Sequence, residues 1–172
     1  MNEVLKAIQM RRSCRSYRPE QIAEETLQQI LEAGVWAASG QGAQSALMVA
    51  VQDRETREQL QRMNAEILGV RSDPFYGAPA VGVVLADPER PTCVEDGSLV
   101  IGNLMLAASA LGVGSCWIHR ARQEFERPEG KALLRSWGVP ERYIGVGHCI
   151  LGYPAEAPGA PKPRKADYIR RV

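Results

Sequence analysis

The chain has 172 residues, of which 45% are hydrophobic and 24% charged, and its formal net charge is +1 at pH 7. A chain of this length can bury one hydrophobic core without disulfides or metals, so we expect a single domain over residues 1–172. The near-neutral balance of charges excludes a general attraction to nucleic acid and is typical of a soluble protein.

The start of the chain and its cysteines exclude further classes of protein. The opening residues MNEVLKAIQMRR lack the apolar segment of a secretion signal, and no apolar stretch reaches the ~20 residues that a membrane span needs. The four cysteines show no CxxC pairing and no neighbouring histidine cluster: Cys14, Cys93, Cys116 and Cys149. The sequence therefore predicts a cytoplasmic protein with reduced thiols and neither a zinc site nor a redox pair.

Two helices and a loop are predicted before the first strand. A short first helix is indicated by apolar residues at helical spacing, namely Val4, Leu5 and Ile8. A second helix begins at Glu24, and its apolar residues share one face: Leu27, Ile30, Leu31 and Val35. The segment AASGQGAQS that follows is too rich in Gly and Ser to be a packed element.

The middle of the chain predicts two buried strands with a helix between them. ALMVAVQD indicates the first strand, and PAVGVVLAD indicates the second. Asp53 is expected to cap the helix between them, which carries Leu60, Met63 and Ile67 inward.

The second half begins with a helix that is apolar nearly all round, from Asp96 to Leu111. Such a helix must be covered on every side, either by a thick core or by a partner subunit. SCWIH then predicts a third strand, PEGKALLRSWG a helix from Pro128 to Gly138, and YIGVGHCILGYP a fourth strand. Residues 154–172 have the prolines of an extended arm, whose last residues, DYIRRV, could add to a sheet edge.

Basic residues cluster near both ends of the chain. Four arginines lie close together, at Arg11, Arg12, Arg15 and Arg18, while KPRK at 162–165 lies on the arm. No GxxxxGK[ST] or GxGxxG segment is present, so a bound phosphate would have to be held by side chains. The arginine fork suits that task, and the two clusters together could enclose one phosphate. Taken separately, each cluster could also be a solvated surface.

Five segments in order resemble the nitroreductase family of flavin mononucleotide (FMN) enzymes. RRSCRSY is similar to the family's RRSxRxF, AASGQGAQS to its APSxxNxQP loop, and FYGAPAVGVVLAD to its xxAPxxIVV strand. EDGSLVIGNLMLAASALGVGSCWI resembles its long central helix with the next strand, and GHCILGYPAEAPGAPKPRK its closing run. The resemblance implies an α+β fold with a mixed, largely antiparallel sheet flanked by helices. It also implies an intertwined homodimer with the C-terminal arm exchanged and FMN at the interface.

The resemblance also implies a set of cofactor-binding residues. The phosphate would be contacted by Arg11, Arg12, Ser13 and Arg15, with Lys162 and Arg164 reaching it from the arm, whereas Arg18 lies outside the motif and is expected to be exposed or ion-paired. Asn64 would face the pyrimidine edge, and Ile118, His119 and Arg120 the flavin N5 and O4. The loop covering the cofactor from the partner subunit would contain Ala38, Ser39, Gly40 and Gln44.

Some residues depart from the family pattern or have two readings. Gly42 stands where the family usually has Asn, and Ser45 and Ala46 stand where it usually has Pro-Trp. The resemblance therefore implies a backbone role for that loop but does not assign its side-chain contacts with the cofactor. His119 is a candidate to steer a substrate or donate a proton, although a histidine at a strand end can also be structural. His148 is expected in the core, as are Trp117 and Trp137.

The implied activity is transfer of hydride from NADH or NADPH through flavin N5 to a nitroaromatic, quinone or enone, in a ping-pong sequence. The flavin would carry the chemistry, which agrees with the lack of any nucleophile-base set in the sequence. The alternative is a flavin-binding protein without NAD(P)H turnover. Binding of nucleic acid is disfavoured because the basic residues are not interleaved with several aromatic residues.

Overall fold

Four strands form one antiparallel sheet in the computed structural model, which describes residues 2–172. In chain order the strands are β1 (Ala46–Val51), β2 (Ala80–Ala86), β3 (Gly114–Ile118) and β4 (Ile144–Gly152), and their order in the sheet is β1-β2-β4-β3. The helices are α1 (Glu3–Met10), α2 (Glu24–Val35), α3 (Arg54–Leu68), α4 (Cys93–Ala110), α5 (Ala121–Glu126) and α6 (Pro128–Ser136), with a 3-10 turn at Gly40–Gly42. The predicted α+β class is confirmed. The named strands all pair antiparallel, and the parallel element is an isolated bridge between Ser13 and Ser115.

The sheet separates two hydrophobic clusters, one on each face. Alternate residues of β2 point to opposite faces, so Val81, Val83 and Leu85 join one cluster while Val84 joins the other. Side chains from α3, α5 and α6 cover the first face, and side chains from α2 and α4 cover the second. Every residue of β2 is buried because both faces of the strand are covered, which explains its unbroken apolar sequence.

The strand predicted at ALMVAVQD forms, but the prediction that it is buried is wrong. Only Val51 of β1 is buried. Among the described residues of this chain, β1 is the edge of the sheet and pairs with β2 alone, so one side of it has no neighbouring strand.

The predicted helix boundaries are confirmed where a capping residue marks them. Asp53 Oδ2 accepts a hydrogen bond of 2.8 Å from the Thr56 N–H at the start of α3, and Gly69 ends that helix at φ +75°. Pro128 occupies the first turn of α6. The six-residue α5 has no counterpart in the predictions because it is too short to show an apolar period.

Much of the apolar surface of α1, α2 and α4 is left uncovered. α4 buries Ile101 and Leu104, yet Leu99 on its other side is 50% exposed. Trp36 at the end of α2 is 84% exposed, and the apolar residues of α1 are also exposed: Val4, Leu5 and Ile8. The expectation that the helix after Asp96 is covered on all sides is therefore not met within residues 2–172 of one chain.

The arm runs away from the sheet. Residues 155–172 are exposed, and the structure assigns no strand to DYIRRV within this chain.

Within residues 2–172, none of the helices combines the length and the apolarity that crossing a membrane would require.

The close approach of β4 to α5 depends on a glycine. A Cβ added at Gly145 would lie 2.3 Å from the carbonyl oxygen of Ala121. Because this neighbour is a backbone atom, relieving the clash requires a costly shift of the main chain. We expect Gly145→Ala to lower the free energy of unfolding by about 1–3 kcal/mol, measured by urea denaturation. Gly159→Ala is the control, because a Cβ there meets no atom within 4 Å. Equal unfolding midpoints for the two variants would contradict the prediction.

Candidate functional site

The arginine segment is held in an extended conformation between two parts of the sheet. The Cys14 N–H donates to the carbonyl of Ser115 in β3 at 2.9 Å, and the Ala155 N–H donates to the carbonyl of Ser16 at 3.0 Å. Gly114 permits this close approach, since a Cβ there would lie 2.8 Å from the Cβ of Cys14. The start of β3 and the exit from β4 therefore fix where the arginines point.

A cavity of about 400 Å³ opens beside this segment. It is lined by Arg12, Ser13 and Arg15, by the turn at 112–114 after α4, and by residues 156–159 at the start of the arm. Its volume lies within the ~300–1,000 Å³ typical of small-ligand sites.

Two buried arginine nitrogens of the segment have no partner within residues 2–172, namely Arg11 Nη1 and Arg12 Nε. Arg12 lines the cavity, whereas Arg11 is not among its lining residues. Arg12 Nη1, in contrast, donates to the carbonyls of Gln9 and Arg11, each at 2.7 Å. A buried charged donor without an acceptor is costly, and an arginine cannot relieve the cost by losing its proton. The geometry therefore suits an anion that supplies the missing acceptors.

Arg18 differs from the other arginines of the segment. Its Nη1 pairs with Glu20 Oε1 at 2.9 Å, and its guanidinium lies over the Tyr153 ring, 5.1 Å from the centroid. The expectation that Arg18 is exposed or ion-paired is confirmed, since its side chain is 51% exposed as well as paired.

A second cavity, of about 250 Å³, adjoins the first through Arg15, which lines both. Its other lining residues include Ile118, His119 and Arg120 after β3, as well as Tyr76. Arg15 and residues 118–120 are far apart in the sequence but line the same cavity. His119 is exposed at the edge of this region.

Arg120 has a strained backbone, at φ +80° and ψ 1°. For a residue other than glycine this left-handed conformation costs about 1–3 kcal/mol, and it persists only where surrounding contacts enforce it. Arg120 Nε donates to Asn64 Oδ1 at 3.0 Å. Asn64 has no exposed surface, so its expected contact with a ligand would require this packing to open.

His148 lies in the core as predicted, but it has a polar partner that the sequence did not indicate. Its Nε2 is 2.9 Å from Glu124 Oε2, and neither side chain has exposed surface. The sequence does not indicate that Glu124 is buried while Glu126 is exposed, because α5 is too short to show which side of the helix is apolar. Trp117 and Trp137 pack against the two hydrophobic clusters and are partly buried, in agreement with their predicted core positions.

The loop at 38–44 lies apart from the arginine cavity and is anchored by Asp96. The Asp96 carboxylate accepts hydrogen bonds from the Gly40 N–H at 2.9 Å, from Ser45 Oγ at 2.6 Å and from Thr92 Oγ1 at 3.3 Å. Burial acts to raise the pKa of Asp96, but these hydrogen bonds outweigh it and hold the pKa below its ordinary value. Ala38, Ser39 and Gln44 line a separate small cavity beside Asp96. The sequence predicted Asp96 only as the start of a helix, although an acidic residue beside a long apolar run was a signal of a buried polar role.

The second basic cluster is exposed on the arm. Lys162 and Arg164 do not line the arginine cavity, and Arg164 instead borders a hollow formed by the arm itself, with Tyr168 and Ile169. Within one chain the structure does not bring the two basic clusters together.

All four cysteines are free thiols. Cys93, Cys116 and Cys149 are buried, and burial raises the pKa of Cys149 well above its ordinary value, so that this thiol stays protonated. Cys14 is half-buried at the edge of the arginine cavity.

An α+β fold with an arginine-lined cavity and unpaired arginine donors in the same segment suits the binding of an anionic small ligand. Comparison with known proteins gives the family: the model of the nitroreductase family matches residues 8–153. This chain belongs to the nitroreductase family.

Two solved structures and one curated relative show how far the similarity extends. A nitroreductase from Bacteroides fragilis with bound FMN has 34% sequence identity, a TM-score of 0.91 and coverage of 100% of both chains. A nitroreductase from Desulfitobacterium hafniense, also with bound FMN, has 27% identity and a TM-score of 0.89, covering 100% of this chain and 99% of that one. The FMN reductase (NAD(P)H) of Bacillus subtilis is 27% identical over 187 residues, which cover 95% of this chain and 70% of the relative.

Proposed function

We propose that this protein is an FMN-dependent oxidoreductase that passes hydride from NADH or NADPH to an electron-poor acceptor, a nitroaromatic, quinone or enone, in a ping-pong sequence. The observation that carries the proposal is the cavity beside the arginine segment, which Arg12, Ser13 and Arg15 line and where Arg12 Nε is buried without an acceptor. A phosphate group supplies several acceptor oxygens and negative charge, and so fits this donor set.

The residues around the two cavities divide between the phosphate and the ring of FMN. Ser13 and Arg15 would join Arg11 and Arg12 at the phosphate. Since Arg15 lines both cavities, the ring would extend from there towards Ile118, His119 and Arg120. Further contacts are proposed from most of the remaining residues that the family resemblance assigns: Ala38, Ser39, Gly40, Gln44, Lys162 and Arg164. Asn64 is fully buried, so in this structure it acts on the site through Arg120 rather than by direct contact.

When bound, FMN supplies the chemistry by accepting and donating hydride at N5. The side chains of this protein hold and polarise the group. Arg15 and Arg120 place positive charge at the second cavity, where it would stabilise negative charge that develops on a reduced ring. His119 is exposed at the same edge, in a position to contact the acceptor.

We further propose that the functional unit is a homodimer. Apolar side chains on α1, α2 and α4 are uncovered in a single chain, including Trp36 and Leu99. The 38–44 loop and the basic arm both lie away from the arginine cavity of their own chain. In a dimer, the loop and the arm of one copy would instead cover the cofactor bound by the other copy. A stable monomer that binds FMN fully would contradict this arrangement.

Anaerobic mixing of the FMN-loaded protein with NADH or NADPH tests the activity. We expect the visible absorbance of the flavin to decrease on mixing. The rate constant of this decrease should be on the order of 1 to 1,000 per second, the usual range of enzyme turnover. The colour should return when a quinone, a nitroaromatic or an enone is added to the reduced protein. A flavin that binds tightly but is not reduced by either nicotinamide would favour the alternative, a flavin-binding protein without turnover.

A further inference from the structure

A buried polar network extends from the core of the protein to the second cavity. At its inner end, Glu124 Oε2 and His148 Nε2 are 2.9 Å apart, and both side chains are fully buried. Phe75 and Phe125 pack against the His148 ring, with centroids at 5.3 and 6.3 Å. The carboxyl group therefore depends on its own protein partners rather than on water.

Asn64 connects this pair to the cavity, and its orientation is determined by its neighbours. Arg120 Nε can only donate, so the Asn64 atom 3.0 Å from it must be the acceptor Oδ1. Asn64 Nδ2 then donates to Glu124 Oε1 and also to the carbonyl of His119, at 2.8 Å. One amide thus fixes both the Arg120 side chain and the backbone of the residue before it.

The network ends on the residue whose backbone is strained. Arg120 is at φ +80°, and its carbonyl accepts the Glu124 N–H at 3.1 Å, so side chain and backbone are tied to the same helix turn. Within residues 2–172, Arg120 Nη1 and Nη2 have no hydrogen-bond partner, and the residue lines the second cavity beside Arg15 and His119. These nitrogens are available to a ligand while Nε holds the side chain in place.

Stability alone does not explain a polar network at this position. Buried polar pairs are often no more stabilising than apolar residues of the same volume. A core pair would also have no need for a connection through Asn64 to a residue at the cavity.

We propose that Glu124, with His148 and Asn64, is a positioning residue that holds Arg120 in its strained conformation so that the guanidinium faces the ring of the bound flavin. The proposal rests on the proposed function for the identity of the ligand. The network itself is a property of the chain and can be examined without the flavin.

The first test uses FMN-free protein and hydrogen exchange of the backbone amides at 119–121. Glu124→Gln keeps the side-chain volume but replaces the carboxylate with a neutral amide, so the hydrogen bond from Asn64 Nδ2 loses its charged acceptor and weakens. We expect exchange at 119–121 to rise by about tenfold, since hydrogen bonds of this kind contribute on the order of 1 kcal/mol or more. Glu126→Gln is the matched control, because Glu126 lies on the same helix but is exposed and pairs with Arg122. Unchanged exchange in Glu124→Gln overturns the proposal.

The second test uses the FMN-loaded protein and measures the FMN dissociation constant and midpoint potential. Glu124→Gln should raise the dissociation constant about tenfold and lower the potential, because a mobile Arg120 stabilises the charge on the reduced ring less well. Adding Glu124→Gln to Arg120→Ala should change neither quantity further, since the network acts through Arg120. Additive effects overturn the proposal.

If Glu124→Gln does not fold, Asn64→Ala replaces it in the second test. Adding Asn64→Ala to Arg120→Ala should likewise change neither the FMN dissociation constant nor the midpoint potential further. Different results would contradict the proposed function and the positioning role of Glu124. A wild-type protein that binds no FMN would contradict the proposed function, while the exchange measurement still decides whether Glu124 holds Arg120. A wild type that binds FMN and is reduced normally, with Glu124→Gln indistinguishable from it, would overturn only the positioning role.

Discussion

Replacing Arg12 with alanine is expected to weaken FMN binding by about 10- to 100-fold, because each hydrogen bond between a guanidinium and a phosphate is worth on the order of 1.5–3 kcal/mol. Arg12 lines the 400 Å³ cavity, and its Nε has no acceptor within the described residues. Fluorescence titration of the FMN-free protein measures the effect. Arg12→Lys should recover only part of the affinity, since an ammonium group lacks the planar fork.

Two controls separate the phosphate contact from a general loss of charge or of structure. Arg18→Ala removes an arginine from the same segment, but one that already pairs with Glu20, and should leave FMN affinity within about twofold. Riboflavin lacks the phosphate, and its affinity should be nearly the same for wild type and Arg12→Ala. Equal losses of FMN and riboflavin affinity in Arg12→Ala would contradict the assignment of this cavity to the phosphate.

Replacing Asp96 with alanine is expected to lower the free energy of unfolding at neutral pH by about 2–4 kcal/mol, because buried donors lose a charged acceptor. Asp96 is 3% exposed and accepts from the Gly40 N–H, Ser45 and Thr92. Urea denaturation at pH 7 measures the loss. Asp167→Ala on the exposed arm is the matched control and should change stability by no more than about 0.5 kcal/mol.

The effect of Asp96→Ala should also depend on pH in a defined direction. The folded-state pKa of Asp96 lies below the ordinary value, which is about 3.9 in unfolded chains. The carboxylate therefore contributes its full stability above about pH 4 and loses it as the pH falls through the lower folded-state pKa. The difference between wild type and variant should be constant from neutral pH to about pH 5 and shrink at more acidic pH. A difference that grows on acidification would contradict the role given to the carboxylate.

The elements that could be predicted are those whose signal is local. α3 has a capping aspartate and an apolar face, and β2 has an unbroken apolar run, so both were correctly assigned from their own residues. β1 shows the limit of such signals. Its residues are as apolar as those of β2, but its place at the sheet edge depends on which strands pair.

The candidate site divides in the same way. The arginine segment was recognisable because charges concentrated within a few residues are visible without a fold, and its likeness to RRSxRxF pointed to a phosphate. Asp96 and Glu124 were not recognisable, since each is a single acidic residue whose role depends on partners 24 to 60 positions away.

The sequence by itself thus determined the strands, the helices other than α5, the family and the cluster that we assign to the cofactor phosphate, because these follow from periodicity, caps and contiguous motifs. Only the tertiary structure decided that Arg15 lines both cavities and that the partner of Arg18 is Glu20. It also decided that Asn64 and Glu124 converge on Arg120. The physical reason is that a hydrogen bond depends on distance and direction in space, which the chain acquires only when α3, α5 and β4 pack together.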